Sequence, residues 1–489
     1  MNVFKNRGAL LIVLLSLLLV GCVTAKSDGD KLPLTTSSDA ALENFKQGRD
    51  IFEKLRFREA RQYFKNAVNA DPNFAMAHLY LAMTQPTAKK FFASLDKATS
   101  LVDQVSEGER LWILGFEAGS NGKPARQLDY YQKLVELYPN DERTHNLLAG
   151  SYFGQQQYHK AIAEYEKAID INPEFSQPYN QLGYAYRFLG KYDKSEKTFK
   201  KYIKVIPDDP NPYDSYAELL LKIGKYDESI KNYRKALQIK SDFVPSHIGI
   251  ATNYNLKGEH EKAREQLKTY YNLAEDEGQR RAALFATTVS YVDEGNVEKA
   301  LATLKKQYAI AEEINDPAAM AGDLGTMGNI LLEFGKPDKA LKKFNASVEI
   351  MRESDLGPDQ KELAEQGYRF NLTQVALKKG DLSAAKKHAE EYRKHAESRN
   401  NRFQIWAAHQ LTGRIALAEE DFSRAINELE KSNLQNPYNI YRLAVAYEGK
   451  GDKVKADELF EKARNFNALN SLAYSFMRNK DKKMTSGTY

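Results

Sequence analysis

Cysteine is nearly missing from this chain: Cys22 is the only one in 489 residues. No disulfide can form within the chain, so its core must come from apolar burial alone. Tryptophan is almost as scarce, with only Trp112 and Trp406. An excess of either charge is lacking too, since 71 Lys and Arg oppose 66 Asp and Glu for a net charge of +5. The two signs are interspersed, which excludes a broad basic stripe for nucleic acid or an anionic membrane surface. Long hydrophobic runs are absent apart from Ala9 to Val20, which is too short to serve as an ordinary membrane span.

Catalytic signatures are missing as well. There is no H-E-x-x-H, G-x-S-x-G, Walker or Rossmann pattern. His388 and His395 lie seven apart on one predicted helix, as solvated helix histidines do, and no cysteine stands near to complete a zinc site. Acidic pairs such as Glu312-Glu313, Glu390-Glu391 and Glu419-Glu420 fit charge patterning on helix surfaces better than acid–base work. The sequence therefore gives no catalytic residue, no metal site and no cofactor.

The amino terminus carries a different signal. Lys5 and Arg7 precede the apolar run, which ends in Leu19-Val20-Gly21-Cys22. A basic start, a short apolar stretch and small residues make a secretory signal. The tetrapeptide resembles the lipobox of bacterial lipoproteins. That resemblance implies removal of residues 1–21 and lipidation of Cys22, with two or more acyl chains anchoring the product stably. Val23 stands where an aspartate would favour inner-membrane retention, so the resemblance implies an outer-membrane lipoprotein facing the periplasm, with the cell surface as the alternative. Residues 22–40 are polar and aperiodic, which predicts a flexible tether reaching about 60 Å at full extension and nearer 25 Å on average.

The rest of the chain repeats itself. Ala161 to Pro173 recurs at Ser195 to Pro207 and at Ser229 to Ser241, a spacing of 34 residues. Aligning on the small residue gives twelve units that begin at 41, 75, 108, 142, 176, 210, 244, 281, 321, 366, 406 and 437. Ala60, Ala161, Ser195, Ser229, Ala263, Ala300, Ala340, Ala385, Ala425 and Ala456 occupy the small position, where two helices must approach closely. One turn on, Phe64, Tyr131, Tyr165, Phe199, Tyr233 and Phe344 are placed to fill the gap between hairpins. Eight glycines (122, 190, 224, 258, 295, 335, 380 and 451) share a position suited to a left-handed residue closing the first helix.

These residues together resemble the tetratricopeptide repeat. The resemblance implies an all-α solenoid of about twelve helical hairpins with a C-terminal capping helix. The expected layout is a regular array at 41–277 of about seven units and a less regular one at 278–477 of about five units plus the cap, drawn at Leu469 to Met477. A disordered tail is expected at 478–489.

In this family the first helices line a concave groove, through repeat positions 2, 5, 9, 12 and 13. Carried onto the most regular units, the groove candidates include Arg143, Asn146, Phe153, Asn180, Tyr184, Arg187, Asp214 and Glu218. The asparagines and arginines partly resemble a clamp for peptide carboxylates, which Asp214 and Glu218 would oppose. The function implied is a lipid-anchored envelope scaffold that binds other envelope proteins or peptides, with no nucleic acid. Two alternatives stand beside it: glycan capture at the cell surface, for which only the two tryptophans offer stacking, and an enzyme with an unrecognised site in the irregular half.

Overall fold

The computed structural model of the chain describes residues 31–485. The signal segment, Cys22 and residues 486–489 lie outside them. Among the described residues there is no β-strand, and twenty-four helices pair into twelve antiparallel hairpins closed by a helix at Leu472–Thr485. The first helices of units 1 to 12 begin at residues 39, 75, 107, 142, 176, 210, 244, 277, 317, 358, 402 and 437. The fold is an all-α tetratricopeptide-type solenoid. No described helix is long and apolar enough to cross a membrane.

Local chemistry sets the ends of these helices. Ser38, Ser106, Asp141, Asp209, Asp276, Asp316 and Asn401 each accept a backbone N–H in the first turn, which satisfies donors the helix cannot. The eight glycines of the turn position all have positive φ, from 69° to 89°. In units 1, 4 and 11 that position holds Leu55, Gln156 and Glu420, and these take the same left-handed conformation at φ 63°, 56° and 58°. The turn geometry is thus imposed by the repeat even where a side chain makes it costly.

Packing follows the same register. The small residues Ala60, Ala161, Ser195, Ser229 and Ala263 are fully buried, and the two serines donate to the carbonyls of Gly183 and Ala217 on the facing helix. The aromatic one turn later packs on a glycine, of that facing helix for Phe199 and Phe344 and of the next unit's first helix for Tyr233. A Cβ on Gly249 would sit 2.1 Å from the Tyr233 ring, one on Gly183 2.5 Å from Phe199, and one on Gly328 2.4 Å from Phe344. A further position explains most of the buried histidines. His78, His145 and His247 hold the carbonyls of Pro72, Pro139 and Ser241, and Tyr179 does the same for Pro173. Each ring therefore fastens the end of the preceding helix.

Three expectations change. Units 8 to 11 begin four to eight residues earlier than their sequence alignment, because the extra residues lengthen the first helices to 17–22 residues. The closing helix runs to Thr485, beyond the expected end at Met477. Arg478 pairs with Asp293 at 2.8 Å and Asn479 donates to the Val292 carbonyl at 2.6 Å, which holds the part expected to be a loose tail against unit 8.

Lys31 to Ser38, expected within the flexible tether, instead forms an extended strap across the starts of units 1 to 4. The Leu32 N–H donates to Asp141 at 2.9 Å, Thr35 donates twice to Glu109, and Thr36 donates to Asp71. Leu34 is buried beneath it.

The superhelix is tight enough for successive turns to touch. The tip of the first hairpin meets the rim of later units through Glu53–Arg143, Glu59–Lys240 and Arg58–Asp242. On the opposite rim, Lys123 pairs with Asp359 at 2.6 Å, Gln156 donates to Asn433 and Tyr226 to Asn467. The expected boundary near 277 falls at the start of the Glu277–Glu294 helix, and the blocks on either side of it share this seam.

Candidate ligand groove

The sequence candidates do lie together on the first helices of units 4 to 6, but each is already engaged by a neighbour, and Tyr184, Arg187 and Glu218 hold one another. Arg143 grips both oxygens of Glu53, at 2.6 and 3.0 Å. Asn146 donates to Gln177 at 3.1 Å. Asn180, almost fully buried, donates to Asn211 and Ser215. Tyr184 and Arg187 both donate to Glu218, at 2.8 and 2.7 Å, and Phe153 packs edge-on against Tyr158 and Phe188.

Asp214 is 7% exposed and accepts from Ser246 at 2.7 Å. Burial pushes its carboxyl up to about 8, Ser246 opposes the rise and Glu218 adds to it. Glu218 does not act as a free repelling wall, because Arg187 neutralises it. The arrangement is a ladder running from unit to unit, so the donors that a clamp would offer a ligand are already committed.

A second groove lies where the sequence reading did not look. A cavity of ≈710 Å³ opens between the first helices of units 9 to 12 and the closing helix. Its walls are Asn329 and Glu333 of unit 9, Phe370, Gln374 and Lys378 of unit 10, Gln410 and Arg414 of unit 11, Tyr438, Tyr441 and Arg442 of unit 12, and Phe476 and Lys480 of the closing helix. Most of these occupy repeat positions 5, 9 and 13, the positions used to choose candidates in the regular units. Applying that rule to the units starting at 366 and 406 would have found Phe370, Gln374, Lys378, Gln410 and Arg414.

The electrostatics of the two grooves differ. Arg414 donates to the Gln374 carbonyl oxygen at 2.5 Å. Arg442 donates to Asn439 at 2.8 Å and lies over the Tyr438 ring, 3.9 Å from its centre. Neither guanidinium has a carboxylate partner among the described residues. Burial, joined by repulsion from Arg442, pushes Arg414 down to about 9, and burial lowers Arg442 as well. Glu333 faces the same space but accepts from the Tyr438 hydroxyl at 2.7 Å and stands 3.4 Å from Lys480.

No group of three or more His, Cys, Asp or Glu among the described residues could hold a metal ion. Trp112 is buried at 5% exposure and unavailable to a sugar ring. Trp406 stacks with Arg402 and meets Phe403 edge-on.

This architecture defines a helical-repeat solenoid, a class that generally serves as a non-enzymatic scaffold with a concave binding surface. Tetratricopeptide repeats are recognised directly in the chain, by one repeat model at residues 149–187 and by a second at 176–209 and 211–243. Comparison with curated proteins gives no match.

Among solved structures, a tetratricopeptide repeat protein from Parabacteroides merdae is 18% identical with a TM-score of 0.35, over 55% of this chain and 93% of that one. The Cut9–Hcn1 hetero-tetramer of APC/C gives 16% identity and a TM-score of 0.42, over 87% and 77%. A thermophilic TPR protein from Thermus thermophilus gives 20% and 0.30, over 44% and 98%. Similarity this distant carries no argument about partners or activity.

Proposed function

We propose that the protein is a lipid-anchored scaffold of the cell envelope that binds other polypeptides through its concave face. The observation that supports binding is the open groove of units 9 to 12, where polar and aromatic side chains on four neighbouring first helices converge on space the chain leaves unfilled. Groups placed this way suit an extended segment, whose backbone amides Asn329 and the amide N–H of Gln410 can pair with and whose side chains the rings can cover. Anchoring rests on the Leu19-Val20-Gly21-Cys22 tetrapeptide, and the outer-membrane leaflet facing the periplasm rests on Val23.

Two measurements test this reading. Radiolabelled palmitate is expected to enter the product in a bacterial host, and Cys22→Ala to abolish its entry. Crosslinking from Gln410, replaced by a photoreactive residue, captures envelope proteins in intact cells. A groove that captures no polypeptide, in cells where the protein is abundant and folded, removes the scaffold reading.

A further inference from the structure

Many arginines elsewhere in this solenoid are neutralised on the spot, although Arg61 answers only the Thr84 carbonyl. Arg143 is held by Glu53, Arg187 by Glu218, Arg281 by Asp323, Arg393 by Glu428 and Arg478 by Asp293. Arg414 and Arg442 lack a paired carboxylate together, in one cavity, and repel each other across it. Two like charges drawn out of bulk water, with only the field of Glu333, paired with neither, to oppose them, lower the stability of the folded chain, so their placement is explained by a ligand better than by folding.

The charge inventory says what kind. Lys378, Arg414, Arg442 and Lys480 line the space against the single carboxylate of Glu333, which leaves three positive charges uncompensated. These cations come from four different elements: units 10, 11 and 12 supply the first three and the closing helix the last. One terminal carboxylate would answer only part of that spread. A run of acidic side chains on an extended backbone answers all of it, with Phe370 and Tyr441 covering the stems. Guanidinium forks on carboxylates are the strong, charge-assisted form of this contact.

We propose that the groove of units 9 to 12 binds an acidic polypeptide segment, with Arg414 and Arg442 receiving its carboxylates. The inference rests on the scaffold reading above and names the chemistry of the partner.

The test uses the full chain in detergent and a fluorescent hexa-aspartate peptide with an amidated carboxyl end, read by anisotropy at 50 and 300 mM salt. The peptide is expected to bind, to lose affinity about tenfold at the higher salt, and to lose at least tenfold on R414Q plus R442Q. A hexa-asparagine peptide should not compete. Arg264→Gln, in unit 7 away from the groove and paired with Glu294, should leave binding unchanged.

Thermal melts accompany every variant. Because neither arginine has a paired carboxylate, R414Q and R442Q should melt at or above the parent temperature, and the peptide should raise the melting temperature of the parent only. Equal binding by parent and double variant, equal competition by hexa-asparagine, tighter binding of citrate than of peptide, or a marked fall in melting temperature for both single variants would each overturn the proposal. Capture of envelope proteins from Gln410 alongside any of those results would sink this inference and leave the scaffold reading standing.

Discussion

Asp214 allows the interior ladder to be tested quantitatively. Its carboxyl is buried, has one hydroxyl donor in Ser246, and is pushed up to about 8 from an ordinary value of 3.8. The unfolded chain gives up this proton above about pH 4, whereas the folded chain keeps it until about pH 8. Between those values the native state binds more protons, so stability falls as the pH rises. A displacement of about four units at 1.36 kcal/mol each is worth about 6 kcal/mol, of which about 4 kcal/mol accrues between pH 5 and pH 9.

Asp214→Asn keeps an oxygen to accept from Ser246 and removes the charge. It should exceed the parent by about 2 kcal/mol at pH 5 and by about 6 kcal/mol at pH 9. Urea titrations followed by circular dichroism at both pH values read this as a midpoint difference that widens with pH. Comparing variant with parent cancels every other titrating group, including Lys222, whose buried amine is lowered to about 7. Parallel midpoints at pH 5 and 9, or a variant weaker than the parent at pH 9, would refute the account of a protonated buried acid.

Glu420→Gly should stabilise the protein by about 1 kcal/mol, because the exposed Glu420 holds a left-handed φ of 58° that glycine adopts freely; a lowered melting temperature would contradict this. Gly249→Ala should destabilise by about 1–3 kcal/mol, since its methyl would enter the enclosed Tyr233 ring, and an unchanged melting curve would show that the ring yields. Thr35→Pro removes the N–H that donates to Glu109 at 2.8 Å and should speed proteolytic cleavage within residues 31–38; equal cleavage of parent and variant would show that the strap is not held there.

Much of the solenoid was legible because each of its signals has a local cause. A glycine at φ near 70°, an alanine with no room for more and an aromatic four residues later each report one contact of a short hairpin. The strap was not legible, because Lys31 to Ser38 has the composition of a linker and its partners Asp71, Glu109 and Asp141 look like ordinary helix caps. Nothing in sequence spacing says that a cap carboxylate has a spare oxygen for a distant segment. The candidate groove was missed for another reason. Positions 5, 9 and 13 were read only where the 34-residue period is clean, whereas Arg414 sits in a lengthened first helix and Arg442 in the last unit beyond it. Arg187 and Glu218 were both identified, but their mutual pairing depends on the angle between neighbouring units, which a repeat pattern does not encode.

The contact between successive coils has a mechanical consequence. An open solenoid stretches like a spring, each hairpin yielding a little with few bonds lost. Here Lys123–Asp359, Gln156–Asn433 and Tyr226–Asn467 bridge neighbouring coils, so extension must first shear this row of polar links. The molecule should therefore be stiff under small loads and give way abruptly once the row parts, a response more like a clasp than a coil.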